Sequence, residues 1–155
     1  MRLSDYLRPE YVAIGLEADS KEDLLEKMVD LAGKNPAVQD KSKVRSAIFE
    51  REKIMSTGVG KGFAIPHGKT DAVDDIVLSF AVTDGPVDYA SMDNEPVRLV
   101  LLLVSRDNLV GQRLKLLSRA SKVMNNDDAR EDLLKAASVQ DVLAIFQREE
   151  DRMGD

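Results

Sequence analysis

One histidine, His67, stands in this 155-residue chain, and its surroundings are unusual. Gly58, Gly60 and Gly62 alternate with other residues and lead into the apolar run Phe63-Ala64-Ile65; Pro66 precedes the histidine and Gly68 follows it. An imidazole with an ordinary pKa near ~6.5 is substantially neutral at neutral pH. Its free ring nitrogen can attack phosphorus and hold a phosphoryl group as a labile N–P bond, a form of covalent catalysis. The product carries about two negative charges and calls for amide or cationic donors around it. The neighbourhood offers the glycine N–H groups, the hydroxyls of Ser56 and Thr57, and the ammonium groups of Lys61 and Lys69. A solitary histidine is ordinarily a packed or surface residue; the glycine-rich approach and the preceding proline single this one out.

Two nucleotide motifs are excluded by spacing. Gly68-Lys69-Thr70 mimics the end of a phosphate-binding P-loop, and Gly58 and Gly60 mimic the start of a dinucleotide fingerprint. Each pattern requires a further glycine at position 63, which is Phe.

Composition narrows the class further. Hydrophobic residues make up 43% and charged residues 32% of the chain, as in a water-soluble globular protein long enough to bury a core. The absence of cysteine removes disulfides, thiol catalysis and thiolate metal sites, and suits a cytoplasmic protein. With one histidine, a metal centre is not expected, nor is a cofactor. A formal net charge of −6 opposes general nucleic-acid binding, which needs a basic face. No apolar run is long enough to insert in a membrane, and Met1-Arg2-Leu3-Ser4-Asp5-Tyr6 lacks the apolar core of a signal peptide. No repeat or linker divides the chain, so residues 1–155 are expected to form one domain.

The elements that must position His67 follow from periodicity. Residues 11–16 are β-prone and form a first strand. Ser20, with Asp23 three residues on, opens a helix carrying Leu24, Leu25, Met28, Val29 and Ala32 on one side. A second helix runs from about Lys41 to Met55, with Val44, Ala47, Ile48, Ile54 and Met55 on its apolar side. Its charged end, Arg51-Glu52-Lys53, would ordinarily be a solvated face, yet the helix feeds directly into the glycine stretch, so Arg51 is placed to turn toward His67. There a guanidinium would hold a phosphoryl group through paired hydrogen bonds. Phe63-Ala64-Ile65 reads as a buried strand with His67 at its end, facing a glycine-lined hollow. Residues 76–82 form a strand, and Thr83-Asp84-Gly85-Pro86 and Asp93-Asn94-Glu95-Pro96 form turns. Val97 to Val104 is apolar almost without interruption, the pattern of a central strand covered on both faces. Helices follow from Gly111 to about Asn125 (Leu114, Leu117, Ala120 and Val123 inward), from about Ala129 to Ala136 after a cap at Asp127 or Asp128, and from Ser138 with Asp141. Interleaved strands and helices predict an α/β fold, a mixed β-sheet flanked by helices on both faces.

The segments Arg51-Glu52-Lys53, Ser56-Thr57-Gly58-Val59-Gly60, Ala64-Ile65-Pro66-His67-Gly68-Lys69 and Asp93-Asn94-Glu95-Pro96-Val97 resemble enzyme IIA of the bacterial phosphotransferase system, in its fructose/mannitol class, which includes the nitrogen-regulatory branch. The resemblance spans nearly the whole chain. It implies that His67 accepts a phosphoryl group, through Nε2 in the family, from the phosphohistidine of an HPr-type carrier protein or its nitrogen-branch relative. The group would then pass to an enzyme IIB domain of a sugar permease; in the nitrogen branch, the phosphorylation state itself controls binding to a target protein. The phosphate-stabilising arginine of the family falls on Arg51, and its Ser/Thr neighbours fall on Ser56 and Thr57. One position departs from the pattern. Where the family commonly has a second active-site histidine before Leu-x-x-Leu, this chain reads Arg113-Leu114-Lys115-Leu116-Leu117. A permanent cation there would bind a phosphohistidine more tightly than a neutral donor.

Overall fold

The computed structural model describes residues 1–154. Two 3-10 turns, Leu3–Asp5 and Pro9–Tyr11, precede β1 (Val12–Leu16), α1 (Lys21–Ala32) and α2 (Lys41–Ile54). Three short strands follow, β2 (Gly58–Gly60), β3 (Phe63–Ala64) and β4 (His67–Lys69), then the long strands β5 (Val77–Val87) and β6 (Val97–Ser105). The chain ends in α3 (Val110–Met124), α4 (Asp127–Leu134) and α5 (Val139–Met153). The strands form a six-stranded mixed sheet in the order β1-β5-β6-β3-β2, with β4 also on β6. The pairs β1–β5, β3–β6 and β4–β6 are parallel, and β5–β6 and β2–β3 are antiparallel. The protein is of the α/β class with helices on both faces.

β6 is the central strand that its apolar run predicts, and its two-residue period divides the core. Leu99, Leu101 and Leu103 join the cluster under α3, α4 and α5; Val100, Leu102 and Val104 join the cluster under α1 and α2. Ser79 interrupts the apolar row of β5 on the α1 side, and its hydroxyl donates to Met28 O at 3.0 Å, so the buried polar group is satisfied. Caps start most helices. Ser20 Oγ accepts from Asp23 N and Ser138 Oγ accepts from Asp141 N, both at 3.1 Å, while the two aspartates reach back to Asp19 N and Ala137 N.

Several local expectations are corrected. The segment 83–86 is not a turn. It continues β5 as an irregular arc, five residues on from Val82 to Val87 opposing the two-residue step from Leu99 to Val97. Arg98 Nη2 donates to Thr83 O at 2.8 Å and Thr83 Oγ1 to Gly85 O at 2.7 Å, so both of these arc carbonyls have a partner. α4 is capped by Asn126, whose side chain accepts from Ala129 N at 3.0 Å, rather than by Asp127 or Asp128, which lie inside its first turn. In α3, Leu116 is buried while Leu114 is 61% exposed. Ile54 and Met55, assigned to the apolar side of α2, are exposed by 80% and 57%; the inward face of α2 is Val44, Ile48 and Glu52.

Candidate functional site

Pro66 determines how His67 is presented. β3 and β4 are two pieces of one line of chain lying along β6. Phe63 and Ala64 pair with Leu99 and Val100, and His67, Gly68 and Lys69 resume the same register against Leu103, Val104 and Ser105. The interruption falls at Ile65-Pro66, because proline has no N–H to give to a ladder. Pro66 O still accepts from Leu103 N at 3.0 Å, and Ile65 N turns the other way to Thr57 O at 3.0 Å. His67 therefore opens a short strand rather than ending one. Gly68 is small for a steric reason. A Cβ there would stand 3.0 Å from Ala47 O and 3.1 Å from Ala47 C, so β4 meets the backbone of α2 directly.

This close approach places the C-terminal half of α2 beside the histidine. A cavity of about 590 Å³ lies between them, lined by Ala47, Glu50, Arg51, Lys53, Ile54, His67, Gly68, Lys69 and Arg113. Ala47, Arg51 and Ile54 recur at helical spacing and line it from one stripe of α2. The Nδ1 of His67 lies 2.8 Å from Ile65 O. A carbonyl only accepts, so Nδ1 carries the proton and the lone pair resides on Nε2. Burial lowers the imidazole pKa below its ordinary value; the bond to Ile65 opposes this, Arg51 adds to the lowering, Glu52 opposes it and Arg113 adds to it again. The ring is thus biased toward the neutral state in which Nε2 is a nucleophile.

Arg51 Nη1 donates to Met55 O at 2.9 Å, closing the end of α2. Arg113, from the first turn of α3, donates through Nη1 to Ser105 Oγ at 2.8 Å and to Arg106 O at 3.2 Å. The structure brings Arg51, Arg113 and His67 to one cavity. Ser56 and Thr57 are placed elsewhere. Ser56 Oγ accepts from Gly58 N at 3.1 Å, and Thr57, 3% exposed, is committed to Glu52 and Tyr89. Gly58, Gly60 and Gly62 do not line the cavity either. They shape the β2–β3 hairpin, where Gly60, Lys61 and Gly62 have φ of 106°, 57° and 81° and the N–H of Lys61 is held by Asp93 Oδ2 at 3.0 Å. Lys61 faces Asn125 Oδ1 at 3.2 Å, and Lys69 lies on the cavity rim, paired with Asp107 at 3.1 Å.

Sequence reasoning missed Glu52. Its carboxylate, buried behind the site, accepts from Thr57 N at 2.7 Å, from the Thr57 hydroxyl and from Tyr89 OH at 3.1 Å, and pairs with Lys21 Nζ at 3.1 Å. Lys21 also stands 4.6 Å from the centre of the Tyr89 ring. Burial, with the Glu52 charge next, raises the Tyr89 phenol pKa, so the tyrosine stays a donor. The available signal was the i, i+4, i+8 spacing of Val44, Ile48 and Glu52. Among the described residues there is no cluster of His, Cys, Asp and Glu able to hold a metal ion, and no helix is long and apolar enough to cross a membrane.

Comparison with known proteins gives the family and the fold. A family model described as phosphoenolpyruvate-dependent sugar phosphotransferase system, EIIA 2, matches residues 5–149. A nitrogen regulatory protein of Bradyrhizobium diazoefficiens is 32% identical over 146 residues, 94% of this chain and 95% of that one. A fructose-specific EIIA component of Haloferax volcanii is 38% identical over 81% of this chain and 83% of its own length. The fructose-specific EIIABC component of Bacillus subtilis is 30% identical over 96% of this chain, which spans only 23% of that longer protein. Among solved structures, the nitrogen regulatory protein IIA-Ntr of Neisseria meningitidis superposes with a TM-score of 0.88 at 30% identity, covering 93% of this chain and 98% of that one. A complex of mannitol IIA with phosphorylated IIB from Escherichia coli shares the fold, with a TM-score of 0.79 at 22% identity over 92% and 97% of the two chains. The chain belongs to the EIIA 2 family of the phosphoenolpyruvate-dependent sugar phosphotransferase system, and a general phosphocarrier role goes with that membership.

Proposed function

We propose that His67 is the covalent carrier of the phosphoryl group, receiving it from the phosphohistidine of an HPr-type carrier protein and handing it to an enzyme IIB domain. The observation that carries this reading is the 2.8 Å contact between His67 Nδ1 and Ile65 O, in a cavity that also holds Arg51 and Arg113. The Nε2 lone pair attacks the donor's phosphorus. The donor's N–P bond breaks and its electron pair returns to the donor nitrogen. The His67 ring, now bonded to phosphorus at Nε2 and still protonated at Nδ1, gains positive charge, which the Ile65 carbonyl offsets. The three phosphoryl oxygens take N–H groups from Arg51 and Arg113. Positioning and electrostatics supply the catalysis, since phosphoryl transfer asks little further covalent work of a protein. Onward transfer is the reverse sequence with the IIB acceptor as nucleophile.

A second reading is favoured by the nearly full-length matches to nitrogen regulatory proteins on both chains. In it, phosphorylation of His67 switches affinity for a target protein and no sugar receives the group. The first experiment is the same for both. The protein is incubated with phosphoenolpyruvate, enzyme I and HPr, or with the nitrogen-branch carriers, and an acid-labile, base-stable phosphate is sought. The label is expected on the native chain and absent from His67→Ala; label that persists in that variant rejects His67 as carrier. Chasing the labelled protein against fructose- and mannitol-type IIB domains then separates the two readings.

A further inference from the structure

The cavity around His67 is larger and more cationic than a transient phosphoryl group requires. At about 590 Å³ it lies within the size range of small-ligand sites. Arg51, Lys53, Lys69 and Arg113 line it against a single acid, Glu50, in a chain whose net charge is −6. Two of those cations are already neutralised, Lys53 by Glu50 and Lys69 by Asp107, each at 3.1 Å. The two arginines are not. Among the described residues neither has a carboxylate partner. Each is tied only through Nη1, Arg51 to Met55 O and Arg113 to Ser105 Oγ and Arg106 O. These bonds tether one nitrogen of each guanidinium and leave its remaining N–H groups without a protein acceptor among the described residues. Guanidinium groups with free N–H donors are suited to tetrahedral oxyanions. On the α2 stripe that carries Arg51, Ala47 and Ile54 present carbon, and Ile54 is 80% exposed.

We infer that, with His67 unphosphorylated, this cavity is a reversible site for a free phosphate dianion, either inorganic phosphate or the head of a small phosphomonoester whose carbon portion lies against Ala47 and Ile54. Occupancy places phosphate oxygens where the transferred group must arrive, so the ligand competes with the phosphorylated carrier. A cell rich in phosphorylated metabolites thereby slows charging of this protein. The binding stands by itself; its regulatory meaning rests on the carrier role proposed above.

The test is an NMR titration of the His67 ring at constant pH and ionic strength, with inorganic phosphate, glycerol phosphate, and chloride with glycerol as probes. A saturable shift with a midpoint on the order of 1 mM is expected for the phosphate-bearing probes. Arg51→Gln and Arg113→Gln each weaken it about tenfold, while Lys34→Gln leaves it within twofold; unchanged methyl shifts away from the site show that the variants are folded. Tighter binding of glycerol phosphate identifies the monoester as the ligand, and equal binding identifies inorganic phosphate. In the charging assay glycerol phosphate raises the apparent KM for the phosphorylated carrier and leaves kcat unchanged. A linear shift matched by chloride, or a midpoint indifferent to both arginine substitutions, overturns the site. Charging is first measured in phosphate-free buffer, so failure of the carrier role is seen independently of failure of the ligand site.

Discussion

The Nδ1 proton of His67 is held by the carbonyl of Ile65, two residues earlier on the same chain, at 2.8 Å. Because Pro66 has no N–H to give, the strand pairing lapses at Ile65-Pro66 although Pro66 O still accepts from Leu103 N, and the Ile65 carbonyl is left to face the ring. One backbone device thus fixes both the tautomer and the direction of the nucleophile.

Protonation of His67 should follow from its surroundings. Burial first, then the Arg51 charge, lowers its pKa, so the native imidazole remains neutral below the ordinary value near ~6.5. Titration of the ring by NMR is expected to give a midpoint below that value, with Nδ1 protonated in the neutral form. Removing the Arg51 charge in Arg51→Gln moves the midpoint up. The linked stability has a definite sign. The contribution is fully present above ~6.5 and is lost as pH falls through the lowered native pKa, because the unfolded chain takes up the proton first. Urea denaturation between pH 7.5 and 5 should therefore show a steeper loss in the native chain than in His67→Gln; equal slopes would contradict the lowered pKa.

Gly68 should be indispensable to the site as well as to the packing. In Gly68→Ala the new methyl meets Ala47 O, C and Cβ at 3.0, 3.1 and 3.3 Å and forces α2 away from β4. Overpacking of this kind costs about 1–3 kcal/mol. Since α2 carries Arg51, charging of His67 should fall by more than the loss of folded protein explains. Adding Ala47→Gly should not restore it, because two of the three obstructing atoms are backbone. Full activity in Gly68→Ala at native stability would show that the helix-to-strand distance does not matter.

Glu52 illustrates what the sequence conceals. The strand interruption beside His67 was legible because Pro66 has no N–H to give to a ladder, and β6 was legible because its run admits only a covered strand. Arg51-Glu52-Lys53 reads as a solvated face, since a charged triplet outweighs the one local signal, the spacing of Glu52 with Ile48 and Val44. The burial of Glu52 depends on Lys21 and Tyr89, which are distant in sequence and arrive from other parts of the fold, and on Thr57, which the chain turns back toward it just after α2. Ile54 and Met55 misled in the opposite sense: their apolar character suits the inward stripe, yet they lie at the cavity mouth and beside it. Leu114 and Leu116 exchanged places because a leucine-rich helix supports two nearly equivalent apolar stripes. The β5 arc at 83–86 contains Gly-Pro, which ordinarily signals a turn. Here Arg98 supplies the donor that keeps it in the sheet.

The same network gives a stability prediction. Glu52→Ala leaves Lys21, 19% exposed at its side chain, without its carboxylate and strips acceptors from Thr57 and Tyr89. Breaking a buried ion pair from one side costs about 3–5 kcal/mol, and the partial exposure of Lys21 places this case near ~3. Tyr89→Phe removes the phenol's contacts with Glu52 and Thr57 but leaves the carboxylate its other partners, and should cost only about 1–2 kcal/mol. Urea denaturation of both variants checks the order, and a Tyr89→Phe loss equal to that of Glu52→Ala would mean that the carboxylate is not the centre of the network.

Arg113 should prolong the life of the phosphorylated protein. Its guanidinium lines the His67 cavity, tethered to Ser105 Oγ and Arg106 O. A histidine at this position would be largely neutral and would offer one donor in place of several. Charge-assisted hydrogen bonds exceed neutral ones by roughly 1 kcal/mol, so Arg113→His should shorten the half-life of the N–P bond about fivefold at neutral pH. The effect should shrink at pH 5.5, where an ordinary imidazole becomes cationic. Transfer to an acceptor should likewise be faster in the histidine variant, because the arginine stabilises the charged intermediate more than the state in which the group is leaving. Release of acid-labile phosphate from labelled native and Arg113→His protein, followed at both pH values, decides the matter; equal lifetimes at neutral pH would leave Arg113 as a solvated helix residue.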